Sequence, residues 1–418
     1  MTPNGKNMTD ARPAAIDTSA DIERRRLAIR TLVLIAISFF TLVDLFAAQA
    51  ILPILADRFA VSAGAMGAAV NASTIGMAVA GVGVAVFSRR IPRRMGVCLS
   101  LIALALPTML LAHVDSLTAF SGLRIAQGLL MSTAFTLMVA YLSEECAEFE
   151  TAGALAAFIT GNVASNLFGR IIAASLASSA GVEATFYVFA IMNMAGAVLV
   201  FFWLRGTEPR PGMLDHPKEI LNAWRRLFVN GATRASFAIG FLILFIFVGA
   251  FTYINPHLAG PPFHLSTASL GLIYLVFLPS LISTPFTGGA VARLGIRRAF
   301  ALSLGAATFG LALTLWGQIA LVLLGLALLG GGLFFAQAAV AAFVGKAAAA
   351  DDKAMASALY LGFYYAGGLV GGVAIGALYG AYAWFGAGLG LLAALALTAL
   401  LGLQLRLVNI APKRSQET

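Results

Sequence analysis

Twelve apolar stretches, each close to the 20 or so residues that a helix needs to cross a bilayer, succeed one another along the chain. They lie at roughly 31–55, 63–88, 95–112, 118–142, 151–177, 183–204, 235–256, 267–292, 299–316, 319–345, 354–380 and 383–405. Hydrophobic residues make up 60% of the 418 and charged residues 11%, against about 45–50% and 25% in soluble domains. Too few polar side chains remain to build a water-facing surface. In lipid each backbone N–H and C=O must be satisfied within its own segment, and stretches of this length do so as α-helices. The sequence therefore predicts an all-α membrane protein of twelve transmembrane helices. No signal-peptide pattern precedes the first span, and "MTPNGKNMTDARPAAIDTSADIERRR" reads as a short disordered tail. Two cysteines, Cys98 and Cys146, give no disulfide framework.

The charges test the count. With the N-terminus inside, 24 of the 27 Lys and Arg fall in inner segments and one, Arg58, in an outer loop. The remaining two, Arg124 and Arg170, lie within spans. Such a split follows the positive-inside rule, and omitting one span would scramble it. The net charge of +9 then reports inner loops facing anionic lipid headgroups rather than nucleic acid. The expected placement is multi-pass in a bacterial inner membrane, with both termini cytoplasmic.

The halves repeat at an offset of 203–204 residues. "ILPILADRFAVSAGAMG" (51–67) aligns with "INPHLAGPPFHLSTASLG" (254–271), so Pro53 meets Pro256, Ser62 meets Ser266 and Gly67 meets Gly271. "RRIPRR" (89–94) aligns with "RLGIRR" (293–298). Five segments are expected: a disordered tail 1–28, a six-helix bundle 29–204, a cytoplasmic loop 205–234, a second six-helix bundle 235–405 and a tail 406–418. Within the loop, roughly 216–228 reads as an amphipathic surface helix. A parallel repeat of two six-span halves is the architecture of secondary transporters that rock around a central site.

The chain resembles the major facilitator superfamily across roughly residues 28–405. "AVFSRRIPRR" resembles the family's signature between the second and third spans, although Arg89 replaces its aspartate and Pro92 its glycine. "RIAQG" (124–128) resembles the Arg-x-x-Gln-Gly motif of proton-driven members, and "TGNVASNLFGR" (160–170) and "GFYYAGGLVGG" (362–372) sit where the antiporter motif lies. The closest likeness is to the twelve-span drug:proton antiporter branch, including the arabinose-efflux-like permeases. The fifth-span motif lacks the usual Gly-Pro pair.

Asp44 is the one acidic residue well inside a span, and a carboxylate at mid-depth costs about 2.5–3.5 kcal/mol on insertion scales. Its repeat partner is near Phe247, so the architecture does not require it. A buried carboxylate can load and release a proton as access alternates; the competing reading is a structural ion pair with Arg124. The resemblance gives Arg124 a central, cavity-facing role in coupling. Arg170 either faces the cavity, favouring anions, or snorkels outward.

Polar residues at membrane depth are further cavity candidates: Gln49, Asn71, Gln127, Asn162, Asn166, Tyr253, Gln337 and Tyr364. Each alone also serves as an interhelical hydrogen bond. The glycines of "AGGLVGGVAIG" (366–376) are expected to let helices pack closely. The acidic loop "EECAEFE", with Glu144, Glu145 and Glu148, faces Arg89, Arg90, Arg93 and Arg94 as a candidate inner gate; two solvated loops are the alternative, since exposed pairs contribute about 0–1 kcal/mol.

No phosphate-binding Gly-x4-Gly-Lys-Ser/Thr loop and no His-Glu-x-x-His motif occurs, so neither an ATP motor, a metal site nor a cofactor is expected, and the chain does not read as an enzyme. The leading expectation is a monomeric proton-coupled exporter of small organic molecules, with protons, substrate and the bilayer as partners. The alternatives are a symporter importing a small, anionic metabolite, and a non-transporting sensor or assembly factor on the same fold.

Overall fold

The computed structural model describes residues 15–87, 91–145, 148–204, 217–283, 286–349 and 352–405. Its helices are, in order, α1 (Ala15–Ala50), α2 (Leu52–Arg58), α3 (Ala63–Asn71), α4 (Ser73–Phe87), α5 (Arg93–Leu110), α6 (Leu117–Glu145), α7 (Glu148–Ser179) and α8 (Gly181–Trp203) in the first half. After the connecting helix α9 (Pro217–Val229) come α10 (Gly231–Ala259), α11 (Thr267–Ile273), α12 (Leu278–Ser283), α13 (Thr287–Leu294), α14 (Ile296–Leu313), α15 (Ile319–Ala347) and α16 (Lys353–Gly402). The described residues contain no strand.

Nine of these segments are long and apolar enough to cross a membrane. One of the nine, Met355–Gly402, is 48 residues long and contains two passes. Its backbone leaves the helix at Tyr382 (φ −135°, ψ 19°) and Ala383 (φ 52°, ψ −150°), where the chain reverses. The remaining two of the twelve are α7, whose apolar surface is diluted by Thr160, Asn162, Asn166 and Arg170, and the broken series α11–α13. The first pass breaks at Ile51 because Pro53 follows at the start of α2, where its ring and missing N–H interrupt the ladder.

Two expectations shift. Helix α1 starts at Ala15, so much of the expected N-terminal tail is helical. The acidic stretch is mostly not a loop, since α6 runs to Glu145 and α7 begins at Glu148. The connecting helix α9 occupies 217–229, close to the expected 216–228. It is pinned by Arg226 donating to both carboxylate oxygens of Asp352, at 2.8 and 2.6 Å.

The repeat survives as matching local chemistry. Ser62 and Ser266 each cap a helix, accepting from the N–H of Ala65 and Ser269. Two residues earlier, Ala60 and His264 both take positive φ, 51° and 49°. Arg94 donates to the Phe201 carbonyl and Arg297 to that of Leu403, tying the third helix of each half to the end of its sixth.

Helix α10 is the most enclosed span, with 83% of its window buried. The glycines of 366–376 make that possible. A Cβ on Gly367 would strike the Phe241 carbonyl, and one on Gly371 that of Phe245, so α16 lies against the bare backbone of α10. Across the halves, α3 and α4 pack on α16, and α7 packs on α11. A Cβ on Gly67 would meet the Tyr253 ring, and one on Gly271 the side chain of Ala174. These contacts lie at the end opposite the basic connections. At the basic end a cavity of about 470 Å³ parts α7 from α13 and α15, lined by Ile159, Thr160, Val163, Val291, Phe343 and Lys346 among others.

Candidate functional site

Asp44 sits on α1 within the first half and is 2% exposed. Its Oδ2 accepts a hydrogen bond from Asn193 Nδ2 on α8 at 2.8 Å. The same amide donates to Thr108 Oγ1 on α5 at 3.2 Å, and Gln127 Nε2 on α6 donates to that hydroxyl at 2.7 Å. Thr108 in turn donates to the Leu104 carbonyl, 2.8 Å away. Four helices therefore meet at one hydroxyl and one carboxylate.

Arg124 closes the network without pairing with the carboxylate. A guanidinium has five N–H donors, and this one has five acceptors. Nε bonds the Val70 carbonyl (2.9 Å), Nη1 bonds the Asp44 carbonyl (3.1 Å) and Gln127 Oε1 (2.7 Å), and Nη2 bonds the Leu45 carbonyl (2.9 Å) and Ser73 Oγ (3.1 Å). No ion pair within 4 Å joins Asp44 to any cation among the described residues. Arg124 is thus fixed on the backbone of α1 and α3, while the carboxylate is held by one neutral amide.

A second cluster lies about 7.5 Å further along α1, five residues at 1.5 Å each, and it bridges the halves. Gln49 Nε2 donates to Asn71 Oδ1 (2.6 Å), and Asn71 Nδ2 donates to Thr252 Oγ1 of the second half (3.0 Å). Asn255 Nδ2 donates to the Gln49 carbonyl (2.6 Å) and to the Tyr274 hydroxyl (2.5 Å). Tyr253 OH donates to the Gly372 carbonyl at 2.6 Å. Arg170 Nη2 donates to Gln49 Oε1 at 2.6 Å. Arg170 is fully buried and points into this interface, so it does not snorkel.

The other expected residues scatter. Asn166 is buried with its Oδ1 unpaired, while Asn162 and Gln337 are half-buried outside both clusters. Tyr364 stacks on Tyr360 and meets Tyr365 edge-on. Of the candidate inner gate, Arg89 and Arg90 lie outside the described residues, as do the side chains of Glu144, Glu145 and Glu148. Arg93 is buried at the start of α5. Arg94 turns to α8, its guanidinium 4.6 Å above the Phe201 ring.

The sequence profile described as Major Facilitator Superfamily matches residues 34–278, more than half of the chain. The chain belongs to that superfamily. It is 27% identical over 400 residues to the uncharacterized MFS-type transporter YybF of Bacillus subtilis, covering 93% of this chain and 96% of that protein. It is 28% identical over 383 residues to the inner membrane transport protein YnfM of Escherichia coli, covering 90% of each. Among solved structures, a mutant of the nucleoside transporter NupG superposes with a TM-score of 0.71 at 16% identity, over 90% of this chain and 99% of that one. The protein is a multi-pass membrane transporter of this superfamily and not an enzyme.

Several residues that complete this major facilitator site escaped sequence reasoning: Thr108 and Asn193 beside Asp44, Ser73 beside Arg124, and Thr252, Asn255 and Tyr274 at the interface. Asn193 interrupts an apolar run, "FAIMNMAG", as Asp44 does. Asn255 lies in the repeat itself, where the first half has Leu52.

Proposed function

We propose that this transporter exports small organic molecules across the inner membrane in exchange for protons, with Asp44 as the proton carrier. The observation that carries the reading is a buried carboxylate with no cation within 4 Å among the described residues. Among the same residues the Asn193 amide is the one group hydrogen-bonded to the carboxylate. Arg124, saturated by five acceptors, holds the local backbone of α1 and sets the field around the carboxylate. Loading or losing a proton changes the charge buried between α1, α5, α6 and α8, and that change favours one packing of the halves over the other.

Export is supported by the resemblance of "RIAQG" and of the fifth- and eleventh-span segments to the antiporter branch. The cavity at the basic end is where an exporter loads, if the charge split puts that end in the cytoplasm. The interface cluster of Gln49, Asn71, Thr252, Asn255 and Tyr274 then serves as the closed outer side. It is a latch of neutral hydrogen bonds between the halves.

The test is transport in proteoliposomes, screened with small drugs and organic acids. Asp44→Asn preserves shape and polarity but cannot ionise. The expected result is loss of pH-gradient-driven movement, with gradient-free exchange of substrate retained because exchange needs rocking without net proton transfer. Gradient-driven movement by Asp44→Asn equal to that of the parent at every pH would place coupling elsewhere.

A further inference from the structure

We infer that Arg170 is the docking point for a carboxylate on the transported molecule, and that the surrounding rings receive a flat apolar body. The cargo on this account is a small aryl carboxylate. The inference rests on the transport reading and adds to it the class of substrate.

Arg124 and Arg170, the two arginines buried within the spans of the first half, differ in how their donors are met. Arg124 has an acceptor for each of its N–H groups. Arg170 is equally buried, yet its Nε and Nη1 have no acceptor. Nη2 is engaged on Gln49 Oε1. Whichever Nη2 hydrogen Gln49 takes, one two-pronged edge of the guanidinium stays open, the geometry that matches the two oxygens of a carboxylate. Among the described residues no carboxylate lies within 4 Å of it. A buried charge without a partner is strongly unfavourable, and a structural role alone would have been filled as Arg124 fills its own.

What surrounds the guanidinium is aromatic. Its carbon lies 4.2 Å from the Tyr274 ring centroid, 5.1 Å from Phe46, 5.5 Å from Phe277, 5.6 Å from Phe251 and 5.7 Å from Phe247. Cation–π attraction offsets part of the burial but leaves Nε and Nη1 without an acceptor. The rings also contact one another, with centroids 4.8 Å apart for Phe247 and Phe251 and 4.7 Å for Phe251 and Phe277. They form one buried aromatic cluster around the cation. Phe46 comes from the first half and the others from the second, so a molecule held here touches both halves and is carried by their rocking. The positive charge and the lack of a nearby acid select an anion over a cation. Gln49 holds the latch while the site is empty of cargo, and an entering carboxylate competes with it for Arg170.

The test uses the full-length protein in detergent, with benzoate as probe and benzamide as its neutral counterpart, read as a shift in the thermal unfolding midpoint and as Kd by calorimetry. Benzoate is expected to raise the midpoint and benzamide to leave it unchanged. Arg170→Gln should abolish the benzoate effect. Gln49→Ala, which removes the competing acceptor without touching the cation, should tighten benzoate by about tenfold and covers the case in which Arg170→Gln does not fold. Equal shifts by both probes, no shift by benzoate, benzoate binding retained in folded Arg170→Gln, or unchanged affinity in Gln49→Ala would each overturn the assignment. Asp44→Asn should still bind benzoate. A parent protein that couples protons through Asp44 yet ignores benzoate would defeat this inference and leave the transport reading standing.

Discussion

Arg124 shows how much one side chain can fix in a medium that supplies no water. Its five hydrogen bonds reach α1, α3, α4 and its own helix. Lysine keeps the charge but offers three donors from one point, and cannot reproduce the planar fork. Arg124→Lys should therefore destabilise the protein by about 3 kcal/mol, the order expected from losing one or two charge-assisted bonds, and should abolish proton-driven transport; chemical unfolding and proteoliposome assays read the two effects. Asp44 and Arg124 were legible in the sequence because a charge within an apolar run is expensive and therefore conspicuous. Asn193 and Thr108 were not, because a neutral polar residue in a span is common and its partner depends on which way the helix faces. The same limit left Arg170 undecided between lipid and interface until the packing of α7 on α11 turned it inward.

At the level of elements, the repeat was the most readable feature, and the structure gives it physical content. The paired Ser62 and Ser266 caps and the paired turns at Ala60 and His264 set the same entry angle for the second helix of each half. That angle brings Gly67 and Gly271 to the interface. What spacing alone could not give is that the two glycines are contact points for the opposite half, Gly67 against Tyr253 and Gly271 against Ala174. The turn of α16 at Tyr382 and Ala383 falls where the expected spans 354–380 and 383–405 meet. The expected consequence is specific. Gly67→Ala places a methyl group where the Tyr253 ring lies, and should prise the halves apart at the end opposite the basic connections. Spin labels at Ser116 and Ala268, with Cys98 and Cys146 replaced, should report a wider distance distribution than in the parent. An unchanged distribution would mean that Tyr253 yields and that the contact does not set closure.

For the whole molecule, polar chemistry is divided unequally between two halves that share a fold. The first half holds Asp44, Arg124 and Arg170, while the second answers with Phe247 near the repeat position of Asp44 and with the rings of Phe251, Tyr274 and Phe277. One half thus carries the charge and the other supplies the wall against which it moves. In this conformation the halves are latched at one end and parted by a cavity at the other. The central claim is that the proton on Asp44 sets which end is latched. The most direct measurement is the Ser116–Ala268 spin-label distance as a function of pH, in the parent and in Asp44→Asn, with no substrate added. The account predicts two distance populations whose ratio shifts with pH in the parent and stays fixed in Asp44→Asn. An Asp44→Asn protein whose populations follow pH as the parent's do would contradict it.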